Sequence, residues 1–265
     1  MSAAGYWVEL YQSEQRLGGA FFLTRRYVVT ALHCLSSLTS PDGRLDVVLT
    51  DGSKLAGHVC RRDEDADLAL IVIDAAYEVR LPIPRAGVAH RGDDWHSPYR
   101  PEATEPALGG KVDGGTAGYP CEGGAVIEAL QLTVDQHTGD YSGYSGGPVI
   151  TGIPDEHESV LVGILLEQVP DRTAAGRAAN VLFAATIGEV VRRFDQFHVE
   201  NLIDVLHPEG SAKGGESTST AAVESSFDRV REWAERGLLD SSQVSELNFI
   251  IAKSAVERHL RGDGR

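Results

Sequence analysis

Hydrophobic and polar residues alternate in short segments along the first third of the chain, as they do from Trp7 to Tyr11. Similar segments follow, separated by polar turn formers such as Asp51-Gly52-Ser53. A two-residue period predicts β-strands, because successive side chains point to opposite faces of a sheet. Several short strands with polar turns favour a closed antiparallel barrel. We therefore predict a first barrel over residues 5–84, with strands near 7–11, 18–23, 27–29, 45–49, 54–59 and 68–74.

A second set of short apolar segments lies between residues 116 and 185 and predicts a second antiparallel barrel. Its strands are expected at residues 126–134, 148–151, 160–166 and 181–185. Residues 85–115 are rich in proline, glycine and charge, which is typical of a long connection between two units. The fold class predicted from this pattern is mainly β.

The spacing of apolar residues changes after residue 185. Apolar residues then recur at helical spacing, beginning with Ile187, Val190 and Val191, and predict a helix over residues 186–206. Residues 206–222 are rich in Gly, Ser and Thr and predict a flexible linker. Residues 223–265 then predict a helical hairpin, because Ser225 and the Asp240 segment each offer a helix cap. Two such helices bury little core alone, so they are expected to dock on the rest of the chain, on a second copy or on a partner protein.

The charge and length of the chain limit the partners and locations that it can have. The chain has 265 residues and a net charge of −15, which argues against nucleic acid or an anionic membrane as a partner. No apolar run approaches the ~20 residues needed to span a bilayer. The first eleven residues lack the basic start and apolar core of a secretion signal, so a cytoplasmic protein is expected.

The chain has three cysteines, Cys34, Cys60 and Cys121. An odd number in a cytoplasmic chain favours reduced thiols, although a Cys34–Cys60 pair remains open. Histidine, cysteine and acidic residues do not recur at metal-ligand spacing, so we predict no metal and no cofactor.

Three segments carry chemistry. Gly143-Tyr144-Ser145-Gly146-Gly147-Pro148 places a serine on a glycine turn, where its hydroxyl is exposed and backbone N–H groups can point together toward an oxyanion. Tyr27 to Cys34 is an apolar segment that ends in Thr-Ala-Leu-His-Cys. Asp65 to Leu70 reads Asp-Ala-Asp-Leu-Ala-Leu. A histidine, an aspartate and a serine together can activate a hydroxyl nucleophile.

These three segments, in this order, resemble the motifs of chymotrypsin- and trypsin-like serine proteases. Gly118-Tyr119-Pro120 resembles a turn of the family's bacterial branch. The resemblance implies two six-stranded barrels with a catalytic triad of His33, Asp67 and Ser145 in the cleft between them. It also implies an oxyanion hole made by the N–H groups of Gly143 and Ser145. Asp63 and Asp65 are alternatives to Asp67, since they share its parity along a strand.

Two positions depart from the family pattern. Tyr144 stands where secreted zymogens have an aspartate that pairs with a new N-terminus, so we expect no activation of that kind. The floor of the substrate pocket would be Gly139, with Asp140 beside it and Leu165-Leu166-Glu167 on a second wall. Asp140 either faces that pocket or lies on a surface turn. We expect a basic or small residue before the cleaved bond.

The predicted function is an intracellular serine endopeptidase that cleaves a protein substrate and is regulated through its C-terminal helices. Tethered helical tails of this sort resemble the small adaptors of bacterial defence proteins, which implies a role in defence or signalling and a protein partner for these helices. The alternative is a catalytically silent binding or adaptor protein on a protease fold. An esterase is a variant with the same chemistry.

Overall fold

The structure, a computed structural model, describes residues 5–40, 42–74, 85–152, 159–174, 176–194, 197 and 220–235, together with 244, 245, 247, 248, 251 and 252. The chain divides into two compact units, Met1–Arg193 and Phe194–Arg265. Each unit is described by itself.

Six antiparallel strands form a closed barrel at the start of the first unit. Their order around the barrel is β1-β2-β3-β6-β5-β4, and the pairing of β1 with β4 closes it. Its core contains Val8, Phe22, Val28 and Ile71. The strands are β1 (Trp7–Gln12), β2 (Gln15–Phe22), β3 (Tyr27–Ala31), β4 (Arg44–Val48), β5 (Lys54–Asp63) and β6 (Leu68–Ile73).

A second barrel follows, in the order β8-β9-β10-β13-β12-β11, and the pairing of β11 with β8 closes it. A short strand, β7, lies parallel to the start of β12. The prediction of a mainly β protein with two six-stranded antiparallel barrels is confirmed. The strands are β7 (Arg85–Ala86), β8 (Asp94–Ser97), β9 (Leu108–Pro120), β10 (Val126–Val134), β11 (Pro148–Thr151), β12 (Val160–Pro170) and β13 (Ala178–Thr186).

The second barrel begins earlier than the sequence pattern indicated. Residues 85–115, expected as a connection, contain β7, β8 and part of β9, and the Gly118-Tyr119-Pro120 turn ends β9. Glycines hide the strand pattern here, since they carry no side chain to mark a face. Gly110 is required by packing, because a Cβ at this position would lie 2.0 Å from the carbonyl oxygen of Thr133. The buried Trp95 and Leu108 mark the core side of this region.

Helix α1 (Ile187–Arg193) follows β13. The hydroxyl of Thr186 accepts the N–H of Glu189 at 3.0 Å and so caps the helix. Helix α1 forms the first part of the helix predicted over 186–206 and ends at Arg193. Residues 195, 196 and 198–206 of that prediction lie outside the described part of the chain.

The second unit contains α2 (Thr220–Glu235), in which Val230 is fully buried. The helix begins inside the predicted linker of residues 206–222 and ahead of Ser225, because Ala221 and Ala222 are strong helix formers. Residues 206–219 of that linker are not among the described ones. Helical residues recur from 244 to 252, and Leu247 and Ile251 are buried one turn apart. No described helix combines the length and the apolar character that a bilayer crossing requires.

Candidate active site

The strand pairing of the first barrel brings His33 and Asp67 together. His33 lies in a 3₁₀ turn, Leu32–Leu35, directly after β3, and Asp67 directly precedes β6. These two strands are antiparallel neighbours, with Ala31 opposite Leu68. The end of one and the start of the other therefore meet at the same edge of the barrel. The N–H of Leu32 donates to the carbonyl oxygen of Asp67 at 2.9 Å and ties the two segments together.

Asp67 contacts His33 twice. Its Oδ2 lies 2.6 Å from Nδ1 of the imidazole, and its Oδ1 accepts the backbone N–H of His33 at 2.8 Å. The two sequence alternatives are engaged elsewhere. The carboxylate of Asp63 bonds the N–H of Ala66, and Asp65 contributes its carbonyl oxygen to the neighbouring turn. Among the three carboxylates, the one that orients the imidazole is that of Asp67.

The Asp67 contact sets the proton affinity of His33. The hydrogen bond with Asp67 is the largest cause, followed by one with Cys34, and together they outweigh burial and raise the pKa of His33 to about 10. A carboxylate beside an imidazole favours the charged form, because it stabilises the imidazolium. This pair can therefore hold the proton that a nucleophile releases.

The turn that carries Ser145 requires its glycines. Gly146 has φ +81°, and a Cβ there would lie 2.1 Å from the carbonyl oxygen of Gly19. Gly147 is closely packed, because its Cβ would lie 2.9 Å from the carbonyl oxygen of Tyr144. Gly143 also adopts a positive φ, of 88°. The Gly-x-Ser-Gly-Gly pattern is thus a backbone requirement of this turn.

Two N–H groups of this turn have no acceptor within the described part of the chain. They belong to Gly143 and Ser145, whereas the N–H of Tyr144 donates to Tyr141 and that of Gly146 to Leu165. Free N–H donors beside a nucleophile are the groups that form an oxyanion hole. They are the two that the sequence predicted for this role.

The hydroxyl of Ser145 donates to the carbonyl oxygen of Leu166 at 3.1 Å. Leu166 is the extra residue of a bulge in β12, since Leu165 pairs with Ala184 and Glu167 pairs with Phe183. A bulge turns the backbone locally, and here it aims this carbonyl oxygen at the serine.

A cavity of about 400 Å³ opens beside Ser145, and His33 lies on its wall. Glu122, Glu167 and Gln168 give it a polar side. Tyr141, Leu165, Leu166 and Leu182 give it an apolar side. Of the predicted pocket residues, Leu165, Leu166 and Glu167 line this cavity, whereas Gly139 and Asp140 are not part of its wall.

The other two predicted pocket residues, Gly139 and Asp140, come just before the cavity residue Tyr141 in the chain. Gly139 is buried with φ +76°, and a Cβ there would meet the guanidinium of Arg177 at 2.8 Å. Asp140 is exposed, and its Oδ1 accepts the N–H and hydroxyl of Ser142 at 2.9 and 2.7 Å. These bonds lower the pKa of Asp140. The side chain reaches the cavity through Gln168, whose amide lies 3.3 Å away.

Sequence reasoning missed Glu122 as a cavity residue, whereas it placed Glu167 on the second wall. Glu122 lies in the turn between β9 and β10, and its N–H donates to Glu167 Oε1 at 2.7 Å. The hydroxyl of Tyr119 donates to the other oxygen of Glu167 at 2.6 Å. No local pattern marks Glu122, because a contact across 45 residues brings it to the cavity.

Tyr144 is buried, and its hydroxyl donates to the carbonyl oxygen of Pro106 at 2.7 Å. Burial is the largest cause that raises the pKa of Tyr144 to about 12. Tyr144 therefore places a neutral, buried phenol in the turn that carries Ser145, at the position where secreted zymogens have an aspartate. The three cysteines, Cys34, Cys60 and Cys121, are all free thiols.

Two barrels, a paired histidine and aspartate, and a serine on a glycine turn together define a serine peptidase of the trypsin-like class. The family described as the trypsin-like peptidase domain matches residues 18–164, which is more than half of the chain and includes His33, Asp67 and Ser145. The chain therefore belongs to the trypsin-like peptidase family, and the predicted resemblance is confirmed. Its enzyme class is that of the serine peptidases, hydrolases of peptide bonds.

Solved structures show the same fold. The HtrA-type protease AlgW with a decapeptide has 15% identity and a TM-score of 0.57, over 76% of this chain and 66% of AlgW. AlgW with a tripeptide has 18% identity and a TM-score of 0.57, over 74% of this chain and 61% of AlgW. An inactive form of Rv3671c from M. tuberculosis H37Rv has 18% identity and a TM-score of 0.53, over 72% of this chain and 86% of that one. Comparison with the sequences of characterised proteins gives no significant match.

This chain thus spans about two thirds or less of the AlgW chains. At these identities the likeness concerns the fold.

Proposed function

We propose that the chain is an endopeptidase that cleaves a protein substrate with Ser145 as nucleophile, His33 as general base and Asp67 as the residue that orients His33. The observation that carries the proposal is the double contact of Asp67 with His33, at 2.6 Å to Nδ1 and 2.8 Å to the backbone N–H. This contact assigns Nδ1 to the carboxylate and leaves Nε2 for exchange with the serine hydroxyl.

The chemistry follows from these positions. Ser145 Oγ attacks the carbonyl carbon of the peptide bond while its proton passes to His33 Nε2. Asp67 stabilises the imidazolium, and the N–H groups of Gly143 and Ser145 bind the oxyanion. Each such donor contributes roughly 3–4 kcal/mol. The imidazolium then protonates the leaving amine, and water releases the acyl group by the reverse sequence of proton transfers.

The nucleophile must turn before it reacts. In the resting structure its hydroxyl donates a hydrogen bond to the carbonyl oxygen of Leu166, at 3.1 Å. Rotation about the Cα–Cβ bond of Ser145 redirects the hydroxyl, and a peptide in the cavity would supply a new partner for the Leu166 backbone. Such a change would be an induced fit, in which substrate binding completes the catalytic site.

The substrate is a protein segment with an apolar side chain beside a basic one. Leu165, Leu182 and Tyr141 line the cavity and would contact the apolar side chain of the substrate. Within the described residues, Glu122 and Glu167 lack a cationic partner and suit a lysine or arginine, as does the net charge of −15. AlgW has been solved with short peptides, which supports a peptide ligand here. Gly139 and Asp140 remain predictions as substrate contacts.

We place the enzyme inside the cell and under the control of its second unit. Three free thiols support a reducing compartment, and α2 with its buried Val230 supports a folded module able to bind a protein. A role in bacterial defence or signalling stays a prediction from the arrangement of the chain. In the full chain, a Val230→Asp substitution should change the rate of proteolysis. Unchanged activity in a variant whose second unit has unfolded would contradict regulation by that unit.

One observation favours the alternative, a silent binding protein. The hydroxyl of Ser145 is bonded to Leu166, and a permanent bond of this kind would leave the serine inert. Hydrolysis of fluorescent casein separates the two functions. We expect cleavage by the full chain and none by its Ser145→Ala and His33→Ala variants. A folded protein that binds casein without cutting it would support the alternative.

A further inference from the structure

An ion pair holds the turn that carries Asp67 from outside the first barrel. Nη1 of Arg193, at the end of α1, lies 2.9 Å from Oδ2 of Asp63. The two residues are 130 positions apart in the chain, and each side chain is 21% exposed. An ion pair that is mostly shielded from water is stronger than an exposed one, because little solvent screens it.

Asp63 also bonds directly to the turn that carries Asp67. Its other oxygen, Oδ1, accepts the N–H of Ala66 at 2.9 Å, one residue before Asp67. Asp67 has φ +55°, in the left-handed region. That conformation costs a non-glycine residue about 1 kcal/mol or more and persists where surrounding contacts impose it. The contact of Asp63 with Ala66 is one such restraint.

Arg193 is itself fixed in place. Its Nε donates to Oε1 of Glu189 at 2.5 Å, so one guanidinium spans Glu189 and Asp63. Glu189 is 7% exposed, and it also accepts the N–H of Glu128 and a bond from Arg192. Burial would raise the pKa of Glu189, but the bonds from Arg193 and Arg192 hold it below its ordinary value. The carboxylate therefore stays charged near neutral pH.

We propose that Arg193 and Asp63 are positioning residues, whose ion pair sets the turn of residues 63–67 and thereby places the carboxylate of Asp67 against His33. This inference rests on the proposed function of His33 and Asp67. Neither residue touches a substrate in this account, since both act through the turn.

The same turn is held by a second contact, which should keep it folded when the ion pair is removed. The N–H of Ala125 donates to the carbonyl oxygen of Asp65 at 2.8 Å, and the thiol of Cys121 donates to the same oxygen at 3.0 Å. The turn is thus held at Asp65 by the second barrel and at Asp63 by α1. Loss of Arg193 should loosen the carboxylate of Asp67 without unfolding the barrel.

The test compares Arg193→Gln and Asp63→Asn with Arg193→Lys and Arg192→Gln in the full chain. Arg192 donates to Glu128 and Glu189 but not to the Asp63 turn, so its variant is the matched control. We expect Arg193→Gln and Asp63→Asn to lower kcat about tenfold or more at nearly constant KM, because small misplacements of catalytic groups have effects of this size. Arg193→Lys keeps the charge and should restore part of kcat. Arg192→Gln should stay within about twofold of the parent.

The ring of His33 gives a readout that does not depend on turnover. An NMR titration, assigned with His33→Ala, should show a lower pKa for His33 in Arg193→Gln than in the parent and in Arg192→Gln. An unchanged titration, or an equal change in both arginine variants, would overturn the proposal. If the parent cuts no substrate, the proposed function fails, while the titration still decides whether Arg193 acts on His33.

Discussion

The hydroxyl of Ser145 donates a hydrogen bond to the carbonyl oxygen of Leu166, the bulged residue of β12, at 3.1 Å. Leu166 therefore acts twice at this site. Its backbone holds the resting nucleophile, and its buried side chain lines the cavity beside it. The backbone and the side chain of one residue thus control the orientation of the serine and the volume open to a substrate.

Shortening this side chain should change substrate preference. In Leu166→Ala the cavity gains volume, so kcat/KM should rise for peptides with a large apolar side chain relative to a small one, by roughly 10- to 200-fold for the change in fit. Val162→Ala is the control, because Val162 is buried on the same strand but does not line the cavity. An equal preference in both variants would contradict the assignment of the cavity to substrate.

Replacing the orienting carboxylate should nearly abolish turnover. In Asp67→Asn, the amide no longer stabilises the imidazolium or fixes its tautomer, and kcat should fall about 10⁴-fold. Asp65→Asn serves as the control, since the Asp65 side chain is exposed and has no hydrogen-bond partner among the described residues. Steady-state kinetics on one peptide substrate measures both. A comparable loss in the two variants would show that Asp67 has no special role.

Activity should rise with pH above the range of an ordinary histidine. His33 accepts a proton only when neutral, and its contact with Asp67 raises its pKa from 6.5 to about 10. The rising limb of kcat/KM reports the pKa of this base in the free enzyme, so its midpoint should lie near the raised value and well above 6.5. In Asp67→Asn the residual activity should show a lower midpoint. A limb at or below pH 6.5 in the parent would contradict the ion pair.

The same pair links stability to pH. Because the folded-state pKa of His33 is raised, its contribution to the free energy of unfolding is fully present below pH 6.5. It is lost as the pH rises toward 10. Urea unfolding at several pH values, compared between the parent and His33→Ala, measures this trend.

The glycine of the nucleophile turn should tolerate no side chain. Gly146→Ala places a Cβ 2.1 Å from the carbonyl oxygen of Gly19, whereas Gly176→Ala meets nothing within 4 Å at a similar φ of +76°. Both variants bear the strain of a positive φ. Gly146→Ala should therefore lose about 1–3 kcal/mol more in urea unfolding than Gly176→Ala. Equal losses would show that φ alone selects glycine at residue 146.

The sequence predicted the barrels well where strands alternate and poorly where glycine interrupts them. The predicted segments 126–134 and 148–151 match β10 and β11. The start of the second barrel was missed, because Gly109 and Gly110 leave too few side chains to mark a face. The start of α2 was missed because Ser and Thr near residue 220 also suit a linker.

The features of the active site also divide into those that the sequence predicted and those that it did not. His33, Asp67 and Ser145 stand in local motifs, so the sequence could name them and the fold could bring the first two together. The contact of Glu122 with Glu167 and the ion pair of Asp63 with Arg193 arise from chain crossings that no local pattern records. The bulge at Leu166 depends on the register of β12 against β13, which is set only when the barrel closes.

The central claim is that Ser145 is a nucleophile activated by His33. The most direct measurement is mass spectrometry of the full chain after exposure to a fluorophosphonate, which phosphonylates an activated serine. We predict one adduct per chain, located on the peptide that contains Ser145 and lost in His33→Ala. A parent protein that remains unmodified, or a His33→Ala variant that is labelled as fast as the parent, would contradict the claim.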